Sequence, residues 1–340
     1  MPHREVKIQS SLQSGLRPFI PLVRNPHILT ILGNFWPRHF DFTRYPIQSE
    51  HFQTEPNVRV LIQTQRPAGP VEGAIAIVHG LEGSGEAGYV RTLSHAAVEA
   101  GFIVHRFHMR TCGGTQHLCK TLYHAGLTSD LLAYLKHLRA RESHPIFLAG
   151  FSLGGNVVLK LAGELGEGAR ALLAGVCAIS TPIDLAACAR RIGQPKNRLY
   201  ERRFVNRMKK RVMATGRYTR EQLSAKSLYD FDDRITAPSF GFGNADNYYR
   251  TQSANNYLDR IRIPTLLIQA KDDTFIPFET YTHSAFQSNS FLRLIATDYG
   301  GHLGFLSRRG RRFWVDETVI AWIASTNLEQ NTPQVRLTLP

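Results

Sequence analysis

Seven short apolar runs set the pattern of this chain, at residues 58–63, 74–78, 102–107, 146–149, 172–179, 265–269 and 291–295. They are rich in β-branched residues and bounded by Gly, Pro or polar turns, which reads as strands. Most are near-continuously apolar rather than alternating, as strands buried on both faces are. Helical spacing occupies 89–100, 129–138, 155–165 and 312–324. The first of these stops at Gly101, and Thr128-Ser129-Asp130 offers capping side chains to the second. Alternating strands and helices specify an α/β fold: a mostly parallel sheet with helices on both faces.

One stretch breaks this pattern. Residues 184–263 hold no clear buried strand and are polar and basic. Eighty structureless residues do not fit inside a compact domain, so a helical insertion over the sheet, a cap or lid, is expected. With 43% hydrophobic residues in 340, the chain can bury a sizeable core, which excludes disordered and fibrous classes. The longest apolar stretch, 171–179, is far below the roughly 20 residues of a membrane-spanning helix. The first 30 residues carry Arg4, Glu5, Lys7, Arg17 and Arg24, with no apolar core of signal-peptide length. Cys112, Cys119, Cys177 and Cys188 show no C-x-x-C spacing, so neither a zinc ribbon nor a disulfide framework is expected. A reducing, cytoplasmic location follows, with peripheral membrane contact as a further expectation.

The chemistry gathers in three places. Gly150-Phe151-Ser152-Leu153-Gly154 is a G-x-S-x-G motif between an apolar strand and a helix, the context of a nucleophile elbow. A base is then required, and His302 lies among glycines just after the last predicted strand. An orienting carboxylate is required for the base. Asp273, four residues before Pro277, is favoured over Asp272, which reads as a turn or capping residue; Asp184 is the other place for the acid. Two N–H groups must face the developing oxyanion: that of Leu153, directly after the nucleophile, and that of Leu81 in His79-Gly80-Leu81-Glu82-Gly83-Ser84. His79 reads as a brace for that loop and Cys112 as a structural thiol. His105, His108, Cys112, His117 and Cys119 match no zinc-site spacing, and no metal or organic cofactor is implied.

The chain resembles the YheT-like branch of the α/β-hydrolase superfamily. The resemblance rests on Asn25-Pro26-His27-Ile28-Leu29-Thr30-Ile31, His79 to Ser84, Arg110 with Cys112-Gly113-Gly114, and Tyr123 to Leu131. It continues through Gly150 to Asn156, Phe231 to Pro238, Asp246 to Tyr249, Ala270 to Pro277 and Gly301-His302. It implies a carboxylic-ester hydrolase with Ser152, Asp273 and His302 as its triad. It also implies an N-terminal extension at 1–57 packed on a core of 58–183 and 264–340, with the cap at 184–263. Relatives usually carry Asp-Asp-Pro-Phe where this chain has Asp272-Asp273-Thr274-Phe275, so a less rigid turn after the acid is expected. The Arg110-Thr111 pair also departs from the family pattern. No membrane anchor like that of the eukaryotic members is expected.

Charge is the remaining feature. The formal net charge is +14, and 190–220 holds twelve Lys/Arg against the single acid Glu201. Arg308, Arg309, Arg311 and Arg312 add a second basic cluster soon after His302. A basic rim suits an anionic membrane surface or lipid headgroup, whereas no nucleic-acid motif accompanies it. The leading reading is a serine carboxylesterase or lipase acting on small-molecule or lipid esters. The alternatives are a thioesterase or acyltransferase on the same triad, and a basic lipid- or nucleic-acid-binding protein with a vestigial site. The oligomeric state is not encoded legibly.

Overall fold

A computed structural model describes residues 17–331, apart from 39, 41 and 42. The first sixteen residues of the expected N-terminal extension, with Arg4, Glu5 and Lys7, and the last nine of the core's second part lie outside the described residues.

All seven predicted strands form. They are β2 (Val58–Gln65), β3 (Gly73–Val78), β4 (Phe102–Phe107), β5 (Ile146–Phe151), β6 (Gly175–Ile179), β7 (Thr265–Ala270) and β8 (Leu292–Thr297). An eighth, β1 (Gln48–Glu55), precedes them, inside the stretch read as an extension. The sheet order is β1-β2-β4-β3-β5-β6-β7-β8, antiparallel through β1, β2 and β4 and parallel from β4 to β8. β1 is mostly exposed and, among the described residues, pairs only with β2, through a tight turn in which Asn57 takes φ 62°. Its polar sequence carries no burial signal, because pairing at an edge needs backbone groups rather than apolar side chains.

Both faces of the sheet are covered. Within β3, Ala74, Ala76 and Val78 face one core, and Ile75 and Ile77 face the other. The first core is closed by α3 (Ser129–Arg139) and α4 (Leu153–Leu165), the second by α2 (Gly88–Glu99) and α11 (Trp314–Asn331). α2 ends at Gly101, whose φ of 89° is the left-handed stop expected there. The predicted cap at the start of α3 does not form: the Thr128 hydroxyl donates to Glu164 instead, at 2.6 Å.

Before the sheet, α1 (Pro26–Phe35) starts at Asn25, whose side chain accepts the Ile28 N–H, with Pro26 in the first turn. Between β6 and β7 the chain is helical and contains no strand. There α5 (Leu185–Ile192) and α6 (Arg198–Met213) are followed by α7 (Leu228–Phe231). A π-helical turn, Asp232–Thr236, then leads into α8 (Ala237–Ser239) and α9 (Ala245–Gln252). A short helix, α10 (Ala285–Ser288), precedes β8. Among the described residues no helix is long and apolar enough to cross a membrane.

Candidate active site

Ser152 stands between the end of β5 and the start of α4, at φ 51° and ψ −123°. That conformation is sparsely populated for a residue with a side chain and persists only where its surroundings impose it. Three neighbours do so. The Ser152 N–H donates to the Ile179 carbonyl at 2.8 Å. A Cβ on Gly150 would lie within 3 Å of the Gly154 carbonyl, and one on Gly154 within 3 Å of the His79 carbonyl. The flanking glycines are thus sterically required, and the serine side chain is left lining two cavities.

His302 Nε2 lies 2.9 Å from Ser152 Oγ, and His302 Nδ1 lies 3.1 Å and 3.2 Å from the Asp273 carboxylate oxygens. A carboxylate only accepts, so the proton of the neutral imidazole is on Nδ1 and Nε2 accepts the Ser152 hydroxyl. Asp273 is buried and also accepts from the Phe275 and Ile276 N–H groups and from Gln269 Nε2. Its orientation is therefore fixed without the histidine. The other two carboxylates stand apart from this chain. Asp272 accepts the Gly301 N–H at 2.8 Å, holding the histidine loop from beside. Asp184 caps α5 through the Ala187 N–H.

The turn after Asp273, expected to be loose without a proline, is held from outside. The Thr274 carbonyl accepts from Asn197 Nδ2 at 2.8 Å, and its hydroxyl lies 3.5 Å from that of Thr30. Phe275 packs on the His302 ring, with centroids 4.6 Å apart. Thr30 Oγ1 also accepts the His302 N–H at 2.9 Å while donating to the Pro26 carbonyl. A Cβ on Gly301, at φ 55°, would strike that same carbonyl. The histidine loop thus lies directly on α1. Thr30 sits 272 positions before His302, and no sequence spacing could have joined them.

The loop after β3 carries Leu81. Neither its N–H nor that of Leu153 donates to any group of the described residues, and Leu153, at the head of α4, has no intrahelical acceptor. His79 is fully buried, with its Nδ1 against the Gly80 carbonyl at 2.8 Å and its Nε2 accepting the Met109 N–H. Burial, reinforced by His108, pulls its pKa down to about 3, so it stays neutral and braces the loop. Glu82 is held on every side, with φ 54°. Its carboxylate pairs with Arg211 Nε at 2.8 Å and accepts the Tyr123 hydroxyl. Its N–H donates to the Tyr123 oxygen, and its carbonyl accepts from Arg207. Both arginines belong to α6, so that helix grips the loop directly. The sequence showed α6 only as part of a basic cluster.

Arg110 is likewise buried, bonded to both Asp130 oxygens at 2.5 and 2.8 Å and to Glu55 at 2.8 Å, with Thr111 following at φ 62°. Cys112 is buried and desolvation raises its thiol pKa, which leaves it protonated and inert. Among the described residues no cluster of His, Cys, Asp or Glu is arranged to hold a metal ion.

Two cavities meet at Ser152 and His302 and share Leu81, Phe204 and Phe275. The inner one encloses about 730 Å³ of atom-free space, part of it open to solvent. Leu185, Ala189, Ile192 and Met208 line it from α5 and α6. Asp232 also lines it; burial raises its pKa to about 6 while the Tyr249 and Thr236 hydroxyls donate to it. The outer cleft runs between α1, the Leu81 loop and α6.

The model of the family described as "Serine aminopeptidase, S33" matches residues 69–290. The chain is 30% identical over 326 residues to the Escherichia coli (strain K12) protein named "Putative esterase YheT", covering 92% of this chain and 94% of that one. It is 30% identical over 240 residues to the Mus musculus protein named "Phospholipase ABHD3", covering 68% of this chain and 58% of that one. Among solved structures, the Pyrococcus furiosus esterase Pf2001 matches with a TM-score of 0.56 over 92% of this chain and 98% of that one. At 17% identity, that likeness is one of fold alone. The sequence matches agree with the parallel sheet and its helical layers: the chain belongs to the α/β-hydrolase family, among the enzymes of esterase and lipase type.

Proposed function

We propose that this protein hydrolyses carboxylic acyl esters through a covalent acyl-enzyme on Ser152. The observation carrying this reading is the hydrogen-bonded chain from Ser152 through His302 to Asp273, set where an apolar cavity meets an outer cleft. His302 Nε2 takes the Ser152 proton as Oγ attacks the ester carbonyl, and Asp273 holds the imidazolium that forms. The Leu81 and Leu153 N–H groups receive the oxyanion. The imidazolium protonates the departing alcohol, and a water, activated by the same Nε2, then releases the acid. In this reading the segment 184–263 acts as a cap whose inner cavity takes the acyl group, while the leaving group occupies the outer cleft. All four cysteines are free thiols, which suits a reducing compartment such as the cytoplasm.

The test is hydrolysis of p-nitrophenyl acyl esters by wild type and Ser152→Ala. The variant should keep its circular dichroism and melting profile and lose on the order of 10⁵- to 10⁶-fold in kcat. Full hydrolysis by a folded Ser152→Ala protein would remove the proposal.

A further inference from the structure

The outer cleft opens between two helices with unusual outward faces. α1 buries Leu29, Thr30 and Gly33 and turns Ile28, Ile31 and Phe35 to solvent, at i, i+3 and i+7. Phe35 is 62% exposed, and on the neighbouring α6 Leu199 is 83% exposed. These four make up most of the large exposed hydrophobic residues among the described residues. The two helices form one surface: the Arg203 guanidinium lies over the Phe35 ring at 5.6 Å, and His27 stacks on Tyr200. Ile31, Phe35 and Arg203 also line the cleft that leads to Ser152.

The charge on this surface is positive and available. Arg198, Arg202 and Arg203 are exposed and have no carboxylate partner among the described residues. The acids bordering the cleft are already engaged, Glu82 with Arg211 and Glu86 with Arg91 and Arg106. The structure also divides the twelve cations of 190–220. Arg211 is buried, and Arg217 turns in to the Cys119 carbonyl, whereas those on the first turns of α6 remain in water. A nucleic acid would satisfy these cations and leave the apolar ridge wet. An anionic bilayer satisfies both, taking apolar side chains into its headgroup boundary and arginines at its phosphates.

We propose that the α1–α6 face docks on an anionic lipid membrane and sets the outer cleft against it, so that an ester leaving the bilayer reaches Ser152 directly. This rests on the ester-hydrolase reading above. The test is flotation of the full chain with vesicles of phosphatidylcholine alone and of phosphatidylcholine mixed with phosphatidylglycerol. Wild type is compared with Ile28→Ser/Leu199→Ser and with Arg198→Gln/Arg202→Gln; none of these residues lines either cavity.

Wild type should float with the mixed vesicles and not with the neutral ones, and added salt should weaken its binding. Each arginine removed should weaken partitioning about fivefold. The apolar pair should cost on the order of tenfold or more. All three proteins should hydrolyse a water-soluble acetate ester alike, which shows that the variants are folded and the site is intact. Failure of wild type to float, or equal flotation of the variants, would overturn the proposal and leave the ester reading standing. Self-association lost in Ile28→Ser/Leu199→Ser, without flotation of wild type, would also overturn it and assign the face to a second copy of the chain. Failure of the acetate assay in wild type would instead strike the ester reading.

Discussion

A serine at φ 51° stores strain on the order of 1–3 kcal/mol, which the two glycines and the Ile179 carbonyl hold in place. The same logic extends along the hydrogen-bonded chain, where each group is fixed by something other than the group it serves. Asp273 is set by two backbone N–H groups and Gln269, and His302 by Thr30 below and Asp273 beside. Asp273→Asn keeps the volume but can present its amide N–H to Nδ1, favouring the wrong tautomer. The expected result is a loss of about 10³- to 10⁴-fold in kcat with KM little changed; steady-state kinetics checks it, and wild-type kcat would exclude Asp273 from the relay. At this scale the sequence was legible where chemistry forces residue type at short spacing. G-x-S-x-G announces itself because only glycine fits on either side of the elbow. Thr30, Asn197 and Arg211 did not, because their roles exist only through contacts between segments far apart in the chain.

Among the elements, the parallel strands were legible because burial on both faces demands near-continuous apolar runs, unbroken in β3, β5 and β6. β1 was not, because an edge strand is held by backbone pairing and its side chains stay polar. α6 shows the same limit from the other side. Its basic sequence reads as a solvated face, yet Arg211 is buried, and its ion pair with Glu82 clamps the residue next to Leu81. Arg211→Met would leave the Glu82 carboxylate buried without its partner, a loss of about 3–5 kcal/mol of stability. It should also lower kcat more than it raises KM, since the Leu81 N–H loses its support. Adding Glu82→Gln to that variant should recover part of the stability. Denaturant unfolding and kinetics check both, and an Arg211→Met protein as stable and active as wild type would rule out the clamp.

For the molecule as a whole, α1 joins two functions that the sequence kept apart. Its inner face supports the histidine loop through Thr30, and its outer face carries the apolar ridge at the mouth of the cleft. The sheet, the helices between β6 and β7 and the N-terminal helix therefore meet at one point, Ser152. The most direct measurement is covalent labelling by a fluorophosphonate probe, read by intact mass and peptide mapping on wild type and Ser152→Ala. Wild type should gain one adduct, on Ser152, and the folded variant none. A folded wild type that stays unlabelled, or an adduct that persists in Ser152→Ala, would contradict an activated serine at this site.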